Sequence, residues 1–155
     1  MIGTKKYFLS LIFIFSFSHL LIAQNSEADL IIGTWLMPEN EGKIKIFKDG
    51  ENYNGTIVWM LAKEKDGTNL KDKENPVDSL KTRDVVGLQV MSGFKYKGDK
   101  LWSGGTFYAA KKGKEVEPDF ILIDKNKLKI KISIFLFSFN IELTRVEPEN
   151  NLQKE

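Results

Sequence analysis

The sequence has 155 residues, 42% of them hydrophobic and 28% charged, with 12 glycines, 4 prolines and no cysteine. That is the composition of one ordinary globular domain; it excludes a disordered or fibrous chain and leaves no room for a second domain. The 23 basic and 21 acidic residues leave a net charge of only +2, and the missing cysteines exclude disulfides and thiol chemistry.

Residues 1–23 read as a cleaved secretory signal. Lys5 and Lys6 precede an uncharged apolar run from Tyr7 to Ile22, and Ala23-Gln24 supplies the junction. At about 1.5 Å per residue the run spans roughly 24 Å, short of the ~30 Å hydrocarbon core of a bilayer, so it is an export signal rather than an anchor. The expected product is soluble and exported, periplasmic or secreted. The leader removes Lys5 and Lys6 but no acid, which leaves the rest of the chain without net charge and gives no support to a nucleic-acid partner. His19, the single histidine, goes with it. The remaining chain then has no Ser-His-Asp or Cys-His catalysis and none of the usual zinc, copper or haem ligands. No cofactor, no metal and no enzymatic activity are expected.

From residue 31 onward apolar residues recur at period 2, punctuated by Gly, Asn and Asp. The pattern predicts strands over 31–37, 43–48, 53–61, 88–97, 100–110, 116–123, 128–134 and 139–146, with hairpin turns at Asp49-Gly50, Gly98-Asp99 and Lys125-Asn126. Eight short antiparallel strands with tight connections suggest a closed up-and-down barrel, because closure removes both sheet edges. Between the third and fourth strands, Ala62 to Arg83 is polar and without period. It is long enough to hold a short helix started by Asn75 as N-cap and Pro76 at the first position. Near the C-terminus the apolar parity flips: Leu128, Ile130, Ile132 and Ile134 give way to Phe135, Phe137, Phe139, Ile141 and Leu143. A single strand there would be several times the usual length, so the slip marks a bulge or a reversal, and a hairpin would carry Phe135, Leu136 and Phe137 at its tip. Such a tip either folds over the barrel mouth as a lid or dips into a membrane or partner; the plain alternative is a bulge that buries it.

The Gly33-Thr34-Trp35 start and the Thr144-Arg145-Val146 end resemble the lipocalin and fatty-acid-binding superfamily of small barrels. More closely, the chain resembles a domain-of-unknown-function family of small exported bacterial proteins. The residues that carry this are Ile32-Gly33-Thr34-Trp35, Tyr53-x-Gly55-x-Ile57-Val58-Trp59, Asp66-Gly67, Asn75-Pro76, Gly87-Leu88, Gly93-Phe94, Trp102-x-x-Gly105-x-x-Tyr108 and Thr144-Arg145-Val146. The family usually places glycines, a basic residue and a tryptophan in the last hairpin, where this chain has Ser138, Phe139 and Leu143, and an Asp-Pro where it has Ala109-Ala110. The resemblance implies a lipocalin-like barrel and export, and carries no activity with it.

Arg145 shares parity with Ile141 and Leu143, which aims its guanidinium at the apolar face. It is expected to stack on Trp35 and to bond backbone carbonyls in a structural plug with Gly33; reading an anionic ligand is the alternative. Tyr53 and Trp59 share parity on the third strand, Trp102 and Tyr108 on the fifth, and these four are candidate ligand-binding residues, with core filling as the plain alternative. Arg83 joins them as a mouth residue able to hold a carboxylate or phosphate, unless it pairs with Asp84. No pair of acids lies on one concave face as a glycosidase needs, and Asp66-Gly67-Thr68-Asn69 lacks the alternating oxygens of a calcium loop. The expectation is a signal at 1–23, one all-β, eight-stranded, lipocalin-like barrel over 24–147 with a helix-bearing loop, and a flexible tail at 148–155. Its function is to bind a small, largely apolar molecule as a monomer; the alternative is a packed barrel that contacts an envelope protein through its outer surface.

Overall fold

The computed structural model describes residues 27–147; the expected leader and the 148–155 tail lie outside the described residues. The strands are β1 (Gly33–Leu36), β2 (Gly42–Asp49), β3 (Asn52–Met60), β4 (Gln89–Gly98), β5 (Leu101–Ser103), β6 (Thr106–Ala109), β7 (Lys114–Val116), β8 (Asp119–Asp124), β9 (Lys127–Ile134) and β10 (Phe137–Val146). All pairings are antiparallel in the order β3-β2-β1-β10-β9-β8-β5-β4, and β4 returns to β3, which closes the ring. β6 continues the wall position of β5 along β4, and β7 pairs with β6. The result is an eight-stranded up-and-down barrel whose alternating residues fill one core. In β2, for example, Ile44 and Ile46 are buried while Lys45 is exposed.

Two segments expected as single strands are broken. The 100–110 segment divides at Gly104-Gly105, because the backbone passes so close to β4 that a Cβ on Gly105 would lie 2.4 Å from the Ser92 carbonyl oxygen. The 116–123 segment starts earlier and divides before Asp119, at Pro118, which has no N–H for a ladder. In β3 the register shifts opposite Lys43 and Ile44, whose partners are Trp59 and Ile57. The extra residue turns Trp59 to the outer face, 37% exposed, and brings Met60 inward.

The long loop also differs from expectation. Its helical part is a single 3-10 turn, Asp78–Leu80, preceded by Val77. Asn75 does not cap it: the Asn75 side-chain oxygen accepts from the Val77 N–H at 2.9 Å in a local turn, and its amide goes elsewhere. Two isolated bridges, Lys63↔Asn69 and Lys71↔Asp84, stitch the loop to itself.

The two barrel ends are unlike. At one end a 3-10 turn, Asp29–Ile31, lies over the core. The other end carries the β1–β2 turn, the long loop, the turn Ala110–Lys112 and the β9–β10 reversal. The parity flip is a hairpin: Phe137 pairs with Ile134 in register, leaving Phe135 and Leu136 as the two turn residues. Phe135 adopts φ of 53°, a conformation normally given to glycine or asparagine.

Candidate functional site

The end under the 3-10 turn is sealed from the sequence upward. Trp35 is fully buried, and its indole N–H donates to the Ile31 carbonyl at 2.8 Å. The Arg145 guanidinium lies 4.2 Å over its ring and donates to the carbonyls of Lys125, Ile32 and Leu30 at 2.6, 2.8 and 2.5 Å. Gly33 makes this possible: at φ of 145° it leaves room that a Cβ would take, 2.5 Å from an Arg145 nitrogen. Three N–H groups on three carbonyls and the ring of Trp35 engage the cation without a carboxylate, the arrangement expected of a structural plug, while the guanidinium also lines a hollow outside the seal.

Tyr53 and Trp102 belong to this sealed end too. The Trp102 N–H donates to the Ala28 carbonyl at 3.1 Å, and its ring meets Tyr53 edge-on. The Tyr53 hydroxyl donates to Asp29 at 2.7 Å. Burial, and then the bond to Asp29, push the Tyr53 phenol up to about 12, while Lys48 and Tyr53 hold the Asp29 carboxyl below its usual range. Both aromatics are core and seal, and neither lines the cavity at the opposite end. Trp59 is removed from the interior altogether by the bulge, and Lys43 lies over its ring on the outside. A hollow of about 590 Å³ outside the seal is walled by charged groups such as Asp29, Lys100 and Asp124.

The opposite end holds a cavity of about 320 Å³ that the side chains leave unfilled. Its floor is apolar, with Ile57, Met60, Val85, Val90 and Phe107, and Tyr108 also lines it. Around the mouth charges are paired: Lys111 with Glu41 at 2.7 Å and Lys73 with Glu64 at 2.5 Å. Small residues at Ala109 and Ala110, and the inward turn of Met60 after the bulge, shape this space.

The long loop is held against this end by a polar group of four residues, of which Asp72 and Asn75 are buried and Arg83 and Tyr108 half-buried. Asp72, 1% exposed, accepts from the Tyr108 hydroxyl at 2.8 Å, from the Asn75 amide at 2.8 Å, and from Arg83 Nε and Nη2 at 3.0 and 2.8 Å. The Asn75 amide also donates to the Tyr108 oxygen at 2.9 Å. Burial and the Asp72 bond push the Tyr108 phenol up. Arg83 therefore pairs with Asp72 rather than Asp84, which takes Lys71 at 2.6 Å. The loop backbone rests directly on the Ala110–Lys112 turn: a Cβ on Gly113 would meet the Glu74 carbonyl oxygen at 1.7 Å. Asp72 is missing from the sequence expectation. The signal for it was an acid, an amide and an arginine in one polar loop, Asp72-x-x-Asn75 followed by Arg83. Among the described residues no group of three or more acidic side chains gathers to hold a metal ion, and no helix is long and apolar enough to cross a membrane.

A sealed end, an apolar cavity at the other and a loop pinned beside its mouth are arranged within a fold found in a solved structure. Protein HP1028 from Helicobacter pylori, described as belonging to the lipocalin family, matches with a TM-score of 0.66 at 19% identity, over 76% of this chain and 84% of that one. At that identity the likeness is one of fold. No curated protein matches the chain. The profile of a family described as "Uncharacterized protein conserved in bacteria (DUF2147)" matches residues 33–142. From the first residue of β1 to well into β10, then, the chain belongs to that family.

Proposed function

We propose that this protein takes up a small, largely apolar molecule in the cavity at the open end and performs no chemistry on it. The observation that carries the reading is the unfilled volume of about 320 Å³ with an apolar floor, in a domain whose core otherwise packs to full burial around Trp35, Phe94, Trp102 and Phe120. Cavities of this size and lining suit small organic ligands. A filled interior favours the alternative of a module acting only through its outer surface. Asp72, the one buried acid among the described residues, supports a non-catalytic role. Its two oxygens accept four hydrogen bonds from Asn75, Arg83 and Tyr108, which commits it to holding the loop. Mass spectrometry of the protein, purified from its native source under non-denaturing conditions, is expected to find a co-purifying apolar compound of a few hundred daltons. Release of that compound on denaturation supports the reading, and an empty protein from every native preparation counts against it.

Export belongs to the same proposal and rests on Lys5, Lys6, the Tyr7 to Ile22 run and the Ala23-Gln24 junction. N-terminal sequencing of the exported protein is expected to begin at Gln24. Met1 retained on membrane-embedded protein would overturn this part.

A further inference from the structure

The β9–β10 hairpin runs past the barrel rim. β1 pairs with β10 only over Thr144 to Val146, and β8 reaches β9 only as far as Lys131. From Phe137 to Glu142, β10 therefore has β9 on one side and no strand on the other; the turn Pro38–Asn40 packs beside its inner end, next to β1, and among the described residues no turn or loop backbone group bonds to it there. The Arg145 N–H donates toward the β9 side, to Asn126. Backbone direction alternates along a strand, so the N–H and C=O groups of Ser138, Asn140 and Glu142 face the open edge.

The side chains alternate with them. Cross-strand partners share a face, which puts Phe137 beside Ile134, Phe139 beside Ile132 and Ile141 beside Ile130 on one apolar side, with Ser138, Asn140 and Glu142 on the other. Phe135 is 96%, Leu136 83% and Phe137 70% exposed, and Phe139 and Ile141 are exposed as well. Toward the tip the usual protections of a sheet edge are missing: β10 has no proline, no lysine and no bulge between Phe137 and Leu143, and the turn Pro38–Asn40 covers only its inner end.

A membrane accounts for the greasy tip but not for the edge, since unpaired backbone groups in hydrocarbon are expensive and open edges do not occur there. An added strand accounts for both. We infer that β10 pairs antiparallel with β10 of a second copy of this chain, across a two-fold axis near Ser138, which keeps the incoming strand clear of β1 and the Pro38–Asn40 turn. Any antiparallel register that joins the edge-facing backbone groups sets even-numbered residues against even and odd against odd. Phe139 then stands opposite Phe137 of the partner subunit and Ser138 opposite Ser138 of the partner subunit, so apolar meets apolar without further adjustment. The only charge on the edge, Glu142, lies outside the paired stretch, so like charges do not keep two copies apart. Three phenylalanines and their aliphatic neighbours from each copy supply on the order of 1,000 Å² of contact, the lower end of the range for specific interfaces. The expected dimer is thus real but reversible.

The test is the mass of the full exported chain in solution by light scattering across a concentration series, with Asn140→Pro as the first variant. Because the Asn140 N–H faces the open edge, proline there blocks strand addition while leaving the β9 ladder intact. The wild type is expected to rise to twice the monomer mass, and Asn140→Pro to stay at the monomer mass with an unchanged melting temperature. Asn140→Lys serves the same purpose if the proline variant does not fold. In a chain with no other cysteine, Ser138→Cys is expected to cross-link as a dimer under oxidation. A wild type that stays monomeric up to millimolar concentration overturns the inference, as do edge variants that dimerise as the wild type does. A monomer that co-sediments with phosphatidylethanolamine–phosphatidylglycerol vesicles overturns it in favour of a membrane contact.

Discussion

Replacing Arg145 by alanine is expected to lower the unfolding free energy by about 2–4 kcal/mol, because it strips three carbonyls, those of Leu30, Ile32 and Lys125, of their donor and uncovers the face of Trp35. Trp35→Ala is expected to cost about 3–5 kcal/mol, since it empties the most crowded part of the sealed end and removes the donor to Ile31. The two losses are not independent. With Trp35 gone, Arg145 has lost its stacking surface and the 3-10 turn it ties down has lost its anchor. The double variant should therefore fall short of the sum by about 1 kcal/mol or more. A double-mutant cycle in urea measures this coupling, and additive losses would mean that the contact carries no energy. Gly33→Ala should resemble Arg145→Ala, because the new Cβ displaces the guanidinium.

The second large effect is expected at Asp72. Asp72→Ala leaves Arg83, Asn75 and Tyr108 without the acceptor that holds them together, and breaking a buried pair on one side typically costs about 3–5 kcal/mol. Arg83 is partly exposed and can turn to water, so the expected loss is at the lower end, about 3 kcal/mol. Asp72→Asn keeps an acceptor and should lose less. The distinguishing readout is local. Amide exchange should accelerate across the loop between β3 and β4, while the sealed end keeps its protection. Uniform acceleration over the whole barrel, or a loss below about 1 kcal/mol, would contradict the pinning role assigned to this group.

Much of the barrel is legible from periodicity, for a physical reason: closure leaves every strand with one wet face and one dry face, so alternation survives all the way round the ring. The parity flip between Ile134 and Phe137 is the clearest instance. A two-residue turn places residues 134 and 137 opposite each other, which is why odd numbers replace even ones after the reversal. Trp35 and Arg145 are likewise aligned by parity alone, and pair in register between β1 and β10.

What periodicity misses is local insertion and distant polar pairing. A single extra residue at the β3 bulge reverses Trp59 and Met60, and the alternation of Tyr53 to Trp59 holds no trace of it. Tyr53 and Trp102 find the sealed end because the Asp29–Ile31 turn supplies a carboxylate and brings the Ala28 carbonyl close; nothing in the strand pattern places that turn. Asp72 binds partners 11 and 36 residues away, a separation at which spacing carries no information. The local pattern around Asn75 is that of a helix cap, and its side-chain oxygen does make a local bond, but its amide is spent on Asp72 and Tyr108.

An apolar ligand site at the open end can be probed by titrating an uncharged, polarity-sensitive dye against the wild type and against Val90→Phe. Val90 is buried in the cavity wall, and the larger ring grows into the space a ligand would use, at a stability cost of about 1–3 kcal/mol. Trp59→Ser, altered on the outer face, and Asn140→Pro, altered at the hairpin edge, serve as folded controls. Saturable, one-to-one binding is expected of the wild type and both controls, with affinity falling at least tenfold in Val90→Phe. Equal binding by Val90→Phe, or binding lost only when the hairpin is altered, would contradict a site at the open end.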